Sequence, residues 1–132
     1  GRAKSGKGIV IDANPKVAGW KERVALVAAE AREKAGITEL FTGPLLVRMT
    51  FWMPRPKSHY RQDGFLLKPN APKNHIVRPD KTKLTRSAED ALTGVIWRDD
   101  TQVVGGEEWK YYADGDAIGQ VPGVKIVVEE LA

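Results

Sequence analysis

The chain has 132 residues, a length that suits one domain with a modest hydrophobic core. It has no cysteine, which excludes disulfides and thiolate metal sites, and no apolar run approaches the roughly 20 residues of a membrane span. The net charge is +4, but 18 of the 21 Lys and Arg residues lie in residues 1–86, whereas 10 of the 17 Asp and Glu residues lie in residues 87–132. This asymmetry indicates a surface for a polyanion such as nucleic acid and a separate acidic region.

The first residues are basic and glycine-rich, which predicts a mobile arm. The apolar residues 9–11 then predict a short strand. Because lysine and arginine neutralise phosphates, the cations of this arm are expected nucleic-acid contacts. They are Arg2, Lys4 and Lys7.

A long helix is predicted next. Asn14 is the expected N-cap and Pro15 the first helical residue, while Gly36 is a plausible end. Apolar residues recur at helical spacing between them, so one face of this helix is expected to pack on a sheet as ordinary core.

Residues 45–52 predict a strand, because apolar and polar side chains alternate there. Residues 53–79 follow with five prolines and no sustained period, which predicts a long loop. The loop holds six cations against one acid, with aromatic side chains between them, as expected of a segment that contacts phosphates and bases. A disordered basic loop is the alternative, and ordering on binding would reconcile the two. The candidate contacts are Arg55, Lys57, His59, Lys73 and Arg78.

The second half predicts a short helix at residues 81–93, which is capped by Asp80 and ends at Gly94. Strands are predicted at residues 95–97, 101–104, 109–112 and 124–128, with a bend at 98–100 and a turn at 114–116. The predicted fold is therefore α/β (α+β), a small mixed β-sheet with two main helices packed on it.

Three carboxylates near this second helix could serve phosphodiester hydrolysis, which needs an activated water and stabilisation of charge by a hard cation. Asp80 lies at the start of the helix, and Asp99 and Asp100 follow the strand predicted at residues 95–97. A helix of about 20 Å and a return strand of about 15 Å allow the two points to converge. The structural alternatives are a helix cap for Asp80, a polar turn for the aspartate pair, and an Arg86–Asp90 ion pair on the helix surface.

The stretch RPDKTKLTRSAEDALTGVIWRDDTQVV, residues 78–104, resembles the RusA-type Holliday junction resolvases. PRPKSHY at 54–60, NPKVAGW at 14–20 and WKYY followed by PGVKI fit the family in the same order. The resemblance covers nearly the whole chain as one domain, residues 1–132, and it implies that the family's usual first strand is missing from this sequence.

The resemblance implies a homodimeric, Mg²⁺-dependent endodeoxyribonuclease, with Mn²⁺ as a substitute, that nicks four-way DNA junctions symmetrically in DNA recombination and repair. It implies a bacterial or phage-encoded protein of the cytoplasm, with branched DNA as its partner and no membrane association. It assigns the metal to Asp80 and Asp100, with Asp99 beside them, and places Arg86 at the family's catalytic lysine. The family's basic segment falls on residues 76–83, which adds the DNA contacts Lys81 and Lys83.

One position departs from the family. The usual P-D-x-D is P-D-K-T in this chain, so Thr82 stands where a second metal aspartate is expected. A neutral hydroxyl is a weaker ligand, which leaves open a catalytically weak or inactive junction-binding protein. A basic RNA-binding protein without junction preference is a third hypothesis, and it predicts similar affinity for junctions, linear duplex and structured RNA at matched salt.

Overall fold

The computed structural model describes residues 4–13, 19–113 and 121–131, and of residues 4–7 it describes only the backbone. It contains a four-stranded mixed sheet and two helices, which confirms the predicted α+β fold. Two short 3₁₀ turns, Lys57–His59 and Asp100–Gln102, interrupt the connecting segments. The main elements are β1 (Lys4–Ala13), α1 (Trp20–Lys34), β2 (Leu45–Pro54), α2 (Lys81–Leu92), β3 (Val103–Ala113) and β4 (Gly123–Leu131).

The sheet has the strand order β1-β4-β2-β3. β4 is antiparallel to both β1 and β2, whereas β2 and β3 are parallel. The alternation predicted for β2 is confirmed, because its Leu45, Val47, Met49 and Phe51 are buried. These side chains join alternate residues of β1 and β4 and the apolar faces of the helices in one core.

The amino-terminal prediction is wrong in part. The expected mobile arm is already strand from Lys4 onward, and Lys4 pairs with Leu131 of β4. The ladder contains an irregularity between Lys4 and Gly8. Pairing of Lys4 and of Gly8 with β4 holds this segment in the sheet, despite the flexibility that its glycines favour.

Helix α1 begins later than predicted, at Trp20, with Gly19 as its N-cap. Asn14 and Pro15 lie outside the described residues. The predicted end is confirmed, since the helix stops at Lys34 and Gly36 follows with a φ of 72°. The NH group of Gly36 donates to Glu33 O, and a glycine adopts the left-handed backbone conformation of this helix end without strain.

Helix α2 agrees with its prediction. Asp80 is the N-cap, and Ala88, Ala91 and Leu92 are buried. Gly94 follows the helix with a φ of 86° and so turns the chain.

The strand predicted at residues 95–97 does not form. The NH groups of Val95 and Ile96 both donate to Leu92 O, which makes this segment a turn that closes α2. Trp97 is fully buried, and its indole NH donates to Thr93 Oγ1 at 3.0 Å. The apolar run therefore reflects burial, and the segment is also held from outside the turn, because the NH of Phe41 donates to Ile96 O at 2.9 Å.

The next two predicted strands are one strand. Residues 101 and 102 belong to the 3₁₀ turn, and β3 then runs without interruption from Val103 to Ala113. A Cβ on Gly106 would lie 1.7 Å from Val47 O, so only glycine allows β2 and β3 to approach there. The last strand is confirmed as β4, and the turn predicted at 114–116 lies outside the described residues. No helix in the described part of the chain is both long and apolar enough to cross a membrane.

Candidate active site and nucleic-acid interface

Asp80 lies where the basic loop meets α2. Its Oδ1 accepts a hydrogen bond from the NH of Lys83 at 2.9 Å, so it caps the first turn as predicted. A carboxylate offers about four lone-pair positions, and the side chain is exposed. Capping therefore leaves this carboxylate with capacity for a cation.

Asp99 has a local structural role. Its side chain accepts from the NH of Thr101 at 2.9 Å, and this hydrogen bond lowers the pKa of the Asp99 carboxyl. Gln102 completes the turn, because its Oε1 accepts from the NH groups of Arg98 and Asp99. The polar-turn alternative thus describes Asp99 well, while Asp100 begins the 3₁₀ turn as its exposed first residue.

Gln102 also fixes this turn to the body of the protein. Its Nε2 donates to Phe41 O at 2.9 Å and to Gly43 O at 3.0 Å. Four hydrogen bonds through one amide side chain therefore hold the segment that carries Asp99 and Asp100.

A group of carboxylates lies between α2 and the start of β3. Burial raises the pKa of the Glu89 carboxyl, and the nearby charges of Asp100, Glu108 and Asp90 raise it further. Glu89 and Glu108 line a cavity of about 230 Å³, into which Gly105 projects no side chain. Negative charge is thus concentrated around Glu89.

Asp80 and Asp100 are related through Glu89 of α2. The charge of Asp100 raises the pKa of Glu89, and Glu89 is nine positions beyond Asp80, which is about 13 Å along a helix axis. The return strand that was predicted to bring the two together is the turn at residues 94–96. Among the described residues no group of three or more His, Cys, Asp or Glu side chains is arranged to hold a metal ion. A shared ion between Asp80 and Asp100 stays a prediction.

The donor chemistry nevertheless fits Mg²⁺. The side chains gathered here are carboxylates, the hard oxygen ligands that Mg²⁺ prefers. Mg²⁺ usually keeps several waters and is held by one or two carboxylates together with substrate phosphates. The mutual repulsion that raises the pKa of Glu89 is also what a divalent cation would relieve.

Arg86 lies on the same side of α2 as this acidic group. Its positive charge lowers the pKa of Glu89, although burial and the neighbouring carboxylates outweigh it. The predicted Arg86–Asp90 pair is wrong, because Asp90 pairs with Lys21 of α1 at 3.5 Å. This helix-to-helix pair leaves Arg86 exposed beside Glu89.

The basic loop, residues 55–79, is anchored to β3 through one aromatic ring. The Arg55 guanidinium lies 4.1 Å from the centre of the Tyr112 ring, and both His59 and His75 meet that ring edge-on. His75 is buried, which lowers its pKa, and the charge of Lys110 lowers it further. A neutral His75 therefore packs on Tyr112 at neutral pH.

A hairpin-like turn forms the outer part of the loop. The NH of Arg61 donates to Leu66 O at 2.7 Å, and Asp63 Oδ1 accepts from the NH groups of Phe65 and Leu66. These two bonds lower the pKa of Asp63. The cations of this turn surround a cavity of about 510 Å³ and are Lys57, Arg61 and Lys68.

The predicted DNA contacts are distributed unevenly. Lys57, Lys73, Arg78 and Lys83 are exposed, as a phosphate-binding surface requires, while Arg55 and His59 face Tyr112. Lys81 forms an ion pair instead, with its Nζ 4.0 Å from Oε2 of Glu108. Arg2 lies outside the described residues, and for Lys4 and Lys7 only the strand backbone is described.

Sequence reasoning missed the residues of β3 and Gln102. Glu108, Lys110 and Tyr112 lie two positions apart, and the strand alternation alone would place them on one face. No local pattern shows that this face meets the basic loop and α2, since that contact joins residues far apart in sequence. Glu89 was missed because a helical glutamate usually faces water.

Comparison with known proteins shows the family. Residues 2–129 match the family described as "Endodeoxyribonuclease RusA". The chain is also 28% identical over 120 residues to the "Uncharacterized protein YqaN" of Bacillus subtilis strain 168, an alignment that covers 86% of this chain and 73% of that protein. Since the family match spans nearly the whole sequence, this chain belongs to the RusA endodeoxyribonuclease family.

Proposed function

We propose that the chain is a Mg²⁺-dependent, structure-selective endodeoxyribonuclease that resolves four-way DNA junctions by symmetric nicking, in DNA recombination and repair. The observation that carries this proposal is the family match over residues 2–129, a family of Holliday junction nucleases. The geometry adds support, because a cationic loop precedes Asp80 and an acidic group lies beside Asp100.

The roles follow from the chemistry of each side chain. Asp80 and Asp100 hold the cation together with phosphate oxygens of the DNA, and Asp99 supports Asp100 by fixing the turn. Arg86 neutralises charge on the reacting phosphate, but it does not transfer a proton, because a guanidinium stays protonated in proteins. Mg²⁺, when bound, supplies charge stabilisation and lowers the pKa of water.

The DNA lies across the loop in this proposal. Exposed Lys57, Lys73 and Arg78 neutralise phosphates, which displaces counterions and makes binding sensitive to salt. The loop approaches α2 at Asp80, so a backbone that follows these cations reaches the N-terminal end of the helix.

Assembly as a homodimer is part of the proposal, because symmetric nicking needs two active sites. The sheet face opposite the helices supports it: Trp109 and Tyr111 stack there with centroids 5.9 Å apart, and both are exposed. In the described part of the chain β3 is also an edge strand, with no strand paired on its outer side. Sedimentation velocity across a range of protein concentrations tests the dimer.

A nicking assay tests the activity. A four-way junction with one labelled strand at a time is incubated with Mg²⁺, with Mn²⁺ or with EDTA, beside a linear duplex of the same sequence. Symmetric nicks in two opposing strands, dependent on the metal and absent from the duplex, are expected. Equal binding to junction, duplex and structured RNA at matched salt, without nicks, would contradict the proposal.

Two observations favour a catalytically weak or inactive junction-binding protein as the second candidate. Thr82 replaces the family's second aspartate, and the described residues contain no group of three metal-ligating side chains. Thr82→Asp separates the candidates, because a carboxylate there adds a hard ligand two positions from Asp80. Nicking that appears only in this variant favours the second candidate, whereas a wild type that nicks at millimolar Mg²⁺ excludes it.

A further inference from the structure

The side chains on one face of β3 contact the loop and the start of α2, and later residues of the strand meet earlier residues of the loop. Glu108 lies 4.0 Å from Lys81, at the start of α2. Two positions on, Lys110 reaches the residues just before the helix, and two further on, Tyr112 meets His75. The end of the loop therefore runs antiparallel to β3, and each inward-facing side chain of the strand holds a different part of it.

Lys110 makes the most direct of these contacts. Its Nζ donates to Val77 O and to Pro79 O, both at 3.0 Å. An ammonium group has three donors, so it can bridge two carbonyl groups that do not bond each other. Asp80 follows Pro79 directly, and its position is thereby tied to the sheet as well as to the first turn of α2.

Tyr112 holds the two ends of the loop at one point. Arg55 and His59 come from its beginning and His75 from its end, and all three contact the same ring. Arg55 also donates to Pro72 O at 2.6 Å, which links the two ends directly. The segment from His75 to Asp80 thus has a fixed point at Tyr112 and a second at Lys110.

We propose that Lys110 is a positioning residue that holds Asp80 in place for the metal by bridging the carbonyl groups of Val77 and Pro79. The proposal rests on the proposed function, because it assigns a purpose to the position of Asp80. In this proposal Lys110 acts through the loop backbone and does not itself bind the metal or the DNA. Its ammonium group donates to carbonyl groups of the loop, which distinguishes Lys110 from the exposed cations that are proposed to bind phosphate.

The test compares Lys110→Met with Lys125→Met. Methionine keeps most of the aliphatic chain and removes the donors, while Lys125 is an exposed lysine of β4 and controls for the loss of one charge. Hydrogen exchange of the backbone amides of residues 76–83 is measured first. We expect exchange about ten times faster in Lys110→Met, as for the loss of stabilisation of about 1.4 kcal/mol, and unchanged in Lys125→Met.

Metal binding is measured second, by electron paramagnetic resonance of free Mn²⁺ with the protein on an uncleaved junction. We expect several-fold weaker Mn²⁺ binding in Lys110→Met, with junction affinity in EDTA lowered no more than in Lys125→Met. Lys110→Arg, which also carries several donors, should recover part of the metal affinity. Should methionine prevent folding, Lys110→Gln keeps an amide donor and replaces it.

Three results would overturn the inference. The first is exchange in Lys110→Met equal to that in Lys125→Met, and the second is faster exchange with unaltered Mn²⁺ binding, which reduces Lys110 to a structural contact. The third is a wild type that binds no Mn²⁺ on the junction, which removes the metal site that Lys110 is proposed to serve. A wild type that binds Mn²⁺ and shows the expected Lys110 effects but does not nick refutes the proposed nuclease activity alone.

Discussion

The two ends of α2 differ sharply in charge. Six cations and one acid lie in the loop that leads to Asp80, whereas Glu89 lies near the other end, where its pKa is raised by burial and by the charges of Asp100, Glu108 and Asp90. The levels of Asp80 and Glu89 are separated by about 13 Å. The loop is therefore the proposed phosphate-binding region, and DNA that lies along this helix would pass both the loop cations and the carboxylates around Glu89. Variants at each end should separate the two functions.

The largest effect is expected at the acidic end, from Asp100→Asn. We expect nicking to fall at least about 100-fold, because even residues that only support a metal ligand change activity by up to that factor. Junction binding in EDTA should be unchanged, since only the metal-dependent step needs the carboxylate. Single-turnover nicking and gel retardation measure the two, and Asp12→Asn, an exposed aspartate of β1, is the matched control. Normal nicking in Asp100→Asn would remove Asp100 from the site.

At the other end, Asp80 has a capping role that must be separated from metal binding. Asparagine caps helices as well as aspartate does, whereas alanine does not and costs about 1 kcal/mol. We expect both Asp80→Asn and Asp80→Ala to lose nicking by about 100-fold, as for a metal ligand, and only the alanine variant to lose stability in urea unfolding. Full nicking by Asp80→Asn would mean that Asp80 is a helix cap alone.

A smaller effect is expected in the loop. Lys57→Ala should weaken junction binding in a salt-dependent way and reduce the slope of log affinity against log salt by about 1, as for the loss of one phosphate contact. Binding titrations at several salt concentrations measure this slope. Lys34→Ala, at the end of α1, removes an equal charge away from the loop. Equal slopes in the two variants would show that Lys57 does not contact DNA.

The sequence predicted the elements whose hydrogen bonds follow a regular period. Alternation located β2 and β4, and a cap, an apolar stripe and a glycine located α2. The strand predicted at residues 95–97 was wrong, because a short run of apolar residues such as Ile96 and Trp97 is compatible with a buried strand and with a buried turn alike. That turn replaces the predicted return strand, and the convergence of Asp80 with Asp100 stays a prediction.

The acidic and basic regions were predictable from charge counts, but the contacts that build them were not. Asp80 was recognised as both a cap and a candidate ligand, since capping follows from local chemistry. The bridging by Lys110 and the ring of Tyr112 depend on β3 lying beside a loop more than 30 positions earlier. Only the folded chain brings these residues together.

The smallest expected effect concerns Glu89 and is a change in the stability of the folded chain with pH. The pKa of Glu89 is raised above its ordinary value of 4.5 by burial and by the neighbouring carboxylates. The folded chain therefore keeps the proton of Glu89 at a pH where the unfolded chain has released it. The contribution of Glu89 to the stability of the fold is fully present below pH 4.5, and it is lost as the pH rises through the raised pKa. Glutamine cannot ionise, so Glu89→Gln should match the wild type at low pH and melt at a higher temperature at neutral pH.

Thermal melts from pH 4 to pH 8 measure this difference, with Glu30→Gln on the exposed face of α1 as the control for one lost charge. Mg²⁺ should narrow the difference at neutral pH, because a cation among these carboxylates relieves the repulsion that the wild type alone experiences. A difference that is constant with pH would show that Glu89 does not sense its neighbours. A difference that Mg²⁺ leaves unchanged would show that the cation does not bind close to Glu89, and the carboxylates around Glu89 would then have no part in the metal site.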